Sequence, residues 1–175
     1  MDEPDWRSLL PRVEEIFFTS SAIQKFTDEA RRERFKVRWL GRYLEHYLES
    51  FFVARNTGDA VVGYLAGCLE DPARNPLFAD LGYYQAFGPL CASYPAHLHI
   101  NVAADIRNLG VGAALIAAFA AQVSQRRLPG LHLVTNEGAR NIRFYERNGF
   151  RLLATTRWND APVVFMGRLT NSASS

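Results

Sequence analysis

Apolar and polar positions alternate along this chain with two clear periods. From about Trp6 to Phe18 the apolar residues follow helical spacing, with an interruption expected near Pro11. A second helical stretch is expected from about Thr27 to Glu49. There Phe35, Trp39, Tyr43 and Tyr47 recur every four residues, which places the aromatics on one face. "FFVARN" and "VVGYLAGCLE" then read as two strands joined at "TGD", a hairpin turn. Asp71 to Ala96 shows neither period and is rich in proline, glycine and aromatics, so it reads as a long irregular segment. "HLHINV" is a strand. A helix follows from about Val111 to Arg127, closed by "LPG". "LHLVTN" is a further buried strand, and "ARNIRFYERNG" a short helix ending at Gly149. "FRLLATTRW" and "PVVFMGRL" are the last strands, with "NDAP" as the turn between them.

This order predicts a single mixed α/β domain with helices on both faces of its sheet. The strand–helix–strand unit in the middle makes its two strands parallel, through a right-handed crossover. One domain over residues 1–170 is expected, with 171–175, "NSASS", as a frayed tail.

Composition changes this picture little. The chain has 175 residues, 48% hydrophobic and 22% charged, ordinary values for a soluble globular protein. A formal charge of +2 gives no argument for nucleic acid or an anionic membrane as partner. The acidic start, "MDEPDWRSLLPRVEE", does not read as a signal peptide, and "GVGAALIAAFAA" is too short and alanine-rich to span a bilayer. Cys68 and Cys91 form no CxxC pair and read as buried thiols. The expected location is the cytoplasm.

The candidate chemistry begins at "RNLGVG", Arg107 to Gly112, where a strand gives way to a helix. A helix N-terminus offers unpaired amides and a partial positive charge, and glycine lets a ligand approach closely. That combination suits phosphate oxygens. A Walker loop requires Gly-Lys-Ser/Thr, but Ala113 and Ala114 follow Gly112. A dinucleotide fingerprint requires a small residue at Leu115. Both fail. A plain strand-to-helix turn holding no ligand is the bland alternative.

R-x-x-G-x-G after "HINV", together with "RFYERNGF" further on, resembles the two signatures of the GNAT N-acetyltransferase superfamily. The element order matches that family from Phe51 onward, over roughly residues 51–169. "YPAHLHINV" and "GLHLVTN" more narrowly resemble the acetyltransferase-like domain attached to O-GlcNAc hydrolases and its free-standing bacterial relatives. The resemblance implies a mostly antiparallel sheet with a parallel, splayed strand pair in its middle. It implies acetyl-CoA as co-substrate and no metal. It also implies acetyl transfer to a primary amine by direct attack in a ternary complex. A non-catalytic acyl-CoA-binding or interaction domain that keeps the fold is the alternative.

By the same resemblance, Asn108, Leu109, Gly110, Val111, Gly112 and Ala113 offer backbone amides to the CoA pyrophosphate, and Arg107 adds a charge-assisted contact. Ile100, Asn101 and Val102 form the strand end along which pantetheine pairs like a short extra strand, with Ile100 and Val102 as the backbone partners. Tyr145, four residues before Gly149, stands where the family's general acid stands; packing of its helix is the bland reading. Phe144 and Asn141 complete the cofactor set. Gly138 occupies the position, seven residues before Tyr145, where the family often carries an asparagine, so Asn141 or Asn136 is expected to substitute.

No base declares itself. His99, Asp71 and Glu137 are candidates beside a water relay. His97 and His99 share one strand face, and satisfied buried histidines are their bland reading. The aromatic segment 71–96 suits either the roof of an acceptor pocket or core packing. The acceptor is a peptide or small-molecule amine, and the protein a monomer or a homodimer.

Overall fold

The computed structural model describes residues 6–21, 23 and 25–170; the expected frayed tail lies outside them. Six strands form one mixed sheet, β1 (Phe51–Arg55), β2 (Val61–Cys68), β3 (Ala96–Val102), β4 (Gly130–Asn136), β5 (Arg151–Trp158) and β6 (Ala161–Leu169). Their order in the sheet is β1-β2-β3-β4-β6-β5. β3 and β4 run parallel, in register at Ala96↔Leu131 and His97↔His132, near the start of each strand. The pairs β1–β2, β4–β6 and β5–β6 are antiparallel. The expected mixed sheet with one parallel pair is therefore present.

The chain divides into two compact units, Met1–Ala66 with His99–Ala118, and Gly67–Leu98 with Phe119–Ser175. The first unit opens with a 3-10 turn, Trp6–Leu9, and helix α1, Leu10–Ser20. Pro11 does not interrupt this helix. It occupies the first turn, where its missing N–H costs no hydrogen bond. Val13, Ile16 and Phe17 form the buried stripe of α1.

The next helix begins where Asp28 caps it, its carboxylate accepting the Arg31 amide at 2.7 Å. It runs as α2 (Glu29–Lys36), a π turn (Val37–Gly41) and α3 (Arg42–His46). An α-helix advances about 3.6 residues per turn, so a strict four-residue repeat drifts off one face. The wider i→i+5 turn absorbs that drift. Phe35 thus meets Phe17 and Phe26, each at 5.3 Å between ring centroids, while Tyr43 is fully buried. β1 and β2 follow. Asn56 shapes their connection, its side-chain oxygen accepting the amides of Gly58 and Ala60 at 3.0 Å each.

In the second unit, residues 71–96 are not irregular. They carry a 3-10 turn (Pro76–Phe78), α4 (Tyr83–Ala86) and α5 (Gly88–Ser93). Phe78, Tyr83, Tyr84 and Phe87 are buried, which realises the core-packing alternative for these side chains. Helices this short carry little periodicity for a sequence to display. His97 lies edge-on to Phe78 at 4.6 Å, and His132 stacks on Phe165 at 4.4 Å, so both belong to this aromatic core.

Helix α6 runs from Val111 to Gln125, two residues shorter than expected. Arg127 turns left-handed (φ 57°) and closes it. Helix α7 covers Ile142–Arg147, and Gly149 follows with φ 84°. The last hairpin turns tightly on Asn159 and Asp160 alone, both with positive φ, and Ala161 already pairs with Trp158.

Candidate active site

The first unit holds the glycine turn. β3 ends where the Ala103 amide donates to the Val62 carbonyl at 2.9 Å. A 3-10 turn (Ala104–Ile106) leads to Asn108, left-handed at φ 68°, and Gly110 at φ 86°. Asparagine is among the few residues with a side chain that accept such a dihedral. A Cβ on Gly110 would meet open space, so the dihedral and not crowding calls for glycine there. The first helical hydrogen bond of α6 runs from Ala114 N to Gly110 O at 3.0 Å. The amides of Val111, Gly112 and Ala113 precede it and have no earlier helical carbonyl to pair with. They point where the helix dipole favours negative charge.

Arg107 reaches back from this turn. Its Nε donates to the Val102 carbonyl at 3.3 Å and its Nη2 to the Ser20 hydroxyl at 3.4 Å. Both partners are neutral, so its charge remains available to an anion.

Backbone groups along a strand face its two edges alternately. The Ala103 amide faces β2, so Asn101 does too, while Ile100 and Val102 direct theirs to the other edge. The two residues expected to pair with an extended ligand therefore direct their backbone groups away from β2. Asn101 is held from β2 as well, its Nδ2 donating to the Tyr64 hydroxyl at 2.8 Å.

His99 lies in the same unit, edge-on to Trp39 at 5.1 Å and to Tyr43 at 5.4 Å. Its Nε2 is shut away from solvent. Burial, and then the charge of Arg42, push its pKa down to about 4 from 6.5. A histidine so depressed is neutral at pH 7. Between about 6.5 and 4 the unfolded chain binds more protons at this residue than the folded one. Stability is therefore expected to fall as pH drops through that window. Urea unfolding at pH 7.5 and 4.5 measures the loss, and His99→Gln is expected to reduce it.

The second unit holds the other candidates. Tyr145 lies buried on α7, its ring 5.3 Å from Phe144 and 5.9 Å from Phe150. Burial pushes its hydroxyl pKa up, so the group stays protonated at any working pH. The hydroxyl makes no hydrogen bond to a described residue. Asn141 is exposed just before α7 and accepts the Thr135 hydroxyl at 3.4 Å. Gly138 is left-handed at φ 73°, a conformation that asparagine also tolerates. Asn136 and Glu137 are exposed at the end of β4.

Asp71 holds a turn: its Oδ1 accepts the Ala73 amide at 2.9 Å and its carbonyl accepts that of Arg74 at 3.2 Å. Burial, then the Asp71 charge, push the Cys91 thiol up to about 12, which leaves it unreactive. Among the described residues, no group of three or more His, Cys, Asp or Glu side chains is placed to hold a metal ion.

Sequence reasoning missed Tyr64. The legible sign is a tyrosine inside an otherwise apolar run, "VVGYLAGC", because a buried hydroxyl requires a partner. It also missed the π turn that carries Trp39.

A family model for the acetyltransferase (GNAT) domain matches residues 48–152, a span containing both the glycine turn and "RFYERNGF". The fold matches the crystal structure of SsHAT at 26% identity and TM-score 0.76, over 97% of this chain and 96% of that one. It matches ribosomal-protein-alanine N-acetyltransferase from Brucella melitensis at 20% identity and TM-score 0.60, over 93% and 94% of the two chains. It also matches a GNAT superfamily phosphinothricin acetyltransferase from Sinorhizobium meliloti, solved with acetyl-CoA, at 16% identity and TM-score 0.59, over 96% and 88%. Because that family model covers more than half of the chain, the chain belongs to the GNAT family of N-acetyltransferases, which draw their acetyl group from acetyl-CoA.

Proposed function

We propose that the amides of the Asn108–Ala113 turn, with Val111, Gly112 and Ala113 foremost because the Leu109 amide donates to the Ile106 carbonyl at 3.4 Å, and the guanidinium of Arg107 hold the pyrophosphate of acetyl-CoA. The backbone of Ile100 and Val102 pairs with pantetheine, and Asn141 and Phe144 contact the same cofactor. A primary amine of a peptide or a small molecule then attacks the thioester carbonyl directly. Backbone N–H groups at the β3 end stabilise the developing oxyanion. As the C–S bond breaks, Tyr145 gives a proton, or a hydrogen bond, to the departing thiolate and recovers its proton from solvent. The observation that carries this reading is the set of amides left free ahead of the first α6 hydrogen bond, entered through left-handed Gly110.

His99, Asp71 and the exposed Glu137 are the candidate proton acceptors, beside a water relay to a more distant group. A pKa of about 4 lets His99 hold a proton poorly at neutral pH, and Asp71 is occupied by its turn. Water is therefore the better sink for the proton of the amine. Among the described residues no helix is long and apolar enough to cross a membrane. Cys68 and Cys91 are buried thiols that join no disulfide, in keeping with a reducing cytoplasm.

Calorimetric titration with acetyl-CoA, followed by thiol release over a panel of amines, tests the reading. Arg107→Gln is expected to weaken acetyl-CoA binding roughly ten-fold, the size of one charge-assisted hydrogen bond. Unchanged affinity removes Arg107 from the site. No binding of acetyl-CoA by the wild type removes the reading itself.

A further inference from the structure

We propose that Tyr64 is a positioning residue for the acyl carrier, acting through Asn101 on the strand end that receives pantetheine. The inference rests on the reading above. Tyr64 lies on β2 with no solvent exposure, so it cannot touch a ligand itself. Its ring stacks on Phe51 at 5.4 Å with planes 10° apart, which fixes where the hydroxyl points. Burial pushes its pKa up and keeps the hydroxyl neutral. That hydroxyl accepts Asn101 Nδ2 at 2.8 Å.

Two further features hold the same stretch of β3. Gly63 lets the strands close up, since a Cβ there would stand 3.1 Å from the Asn101 carbonyl oxygen and 3.3 Å from a Val102 methyl. The Ala103 amide bonds to Val62 O at 2.9 Å. Of these three ties, the Tyr64–Asn101 bond is the one made by side chains. It fixes Asn101, the residue between the two whose backbone groups face away from β2. An extended ligand that pairs with Ile100 and Val102 needs both sets of groups in register, and a wobble at Asn101 spoils both at once. The pyrophosphate grip touches this stretch through Arg107 Nε on the Val102 carbonyl, but its amides lie at the head of α6 and do not pass through the Tyr64–Asn101 bond.

The test compares two ligands on wild type and Tyr64→Phe. One is acetyl-CoA. The other is 3′-phospho-ADP, which carries the pyrophosphate but no pantetheine. Acetyl-CoA is expected to bind about five-fold more weakly to the variant, a change of about 1 kcal/mol. Affinity for 3′-phospho-ADP is expected to stay unchanged. A role confined to folding would weaken both ligands alike, and that result overturns the proposal, as does equal acetyl-CoA affinity in the two proteins. Asn101→Ala cuts the same bond from the other side and should give the same split if Tyr64→Phe folds poorly. Wild-type protein that binds neither ligand fails the underlying reading, a result distinct from a missing split.

Discussion

Tyr145→Phe is expected to lower turnover about 100-fold, the lower end of what a positioned general acid contributes, while acetyl-CoA affinity changes little. The substitution is clean on structural grounds. The aromatic ring keeps its contacts with Phe144 and Phe150. The hydroxyl makes no hydrogen bond to a described residue, so its removal strands no buried partner. What disappears is an O–H that burial keeps protonated. A depressed phenol pKa would make activity decline as pH rises through it. Here the shift is upward, so the acid form persists through the alkaline range. Steady-state turnover beside calorimetric affinity separates the two effects. Equal turnover in the two proteins would sink the assignment.

Gly67→Ala is expected to be among the most damaging small substitutions in the core of the second unit. A Cβ on Gly67 would stand 2.4, 2.8 and 2.9 Å from three ring atoms of Phe119, closer than carbon atoms pack. Phe119 is itself fully buried on α6 and has no open side to retreat to. Overpacking of this kind costs about 1–3 kcal/mol, and the closeness of the contact places this case at the upper end. The urea midpoint should fall accordingly. Phe119→Leu in the same chain should recover part of the loss, since the two positions share one contact. Gly110 makes a useful contrast. Alanine there meets open space and carries only the strain of its left-handed dihedral, about 1–2 kcal/mol.

Much of this was legible in the residues. "RNLGVG" and "RFYERNGF" have their meaning in backbone geometry, and a glycine at φ 86° or 84° leaves a mark that a sequence displays. Six strands were found because apolar runs bounded by turn residues signal them directly. Residues 71–96 were harder. Their helices are four and six residues long, too short for a period to repeat. The aromatics there looked equally suited to a pocket wall and a core, since burial is decided by what packs above them. Pro11 misled for another reason: proline breaks a helix interior but is welcome in a first turn, and only the true start tells which applies. The proton acceptor is not legible because none of its candidates acts through its type alone. His99 is altered by burial and Arg42, while one carboxylate oxygen of Asp71 is engaged by the Ala73 amide.

The π turn at Val37–Gly41 sets the phase of everything before it. Each residue of a helix swings the chain by about 100°. Were one of those five removed, the spiral would tighten to ordinary pitch, and the stretch carrying Phe35 would rotate away from Phe17 and Phe26. A single-codon loss in this stretch would therefore act as a frameshift in space, leaving every downstream letter intact while misaiming those upstream.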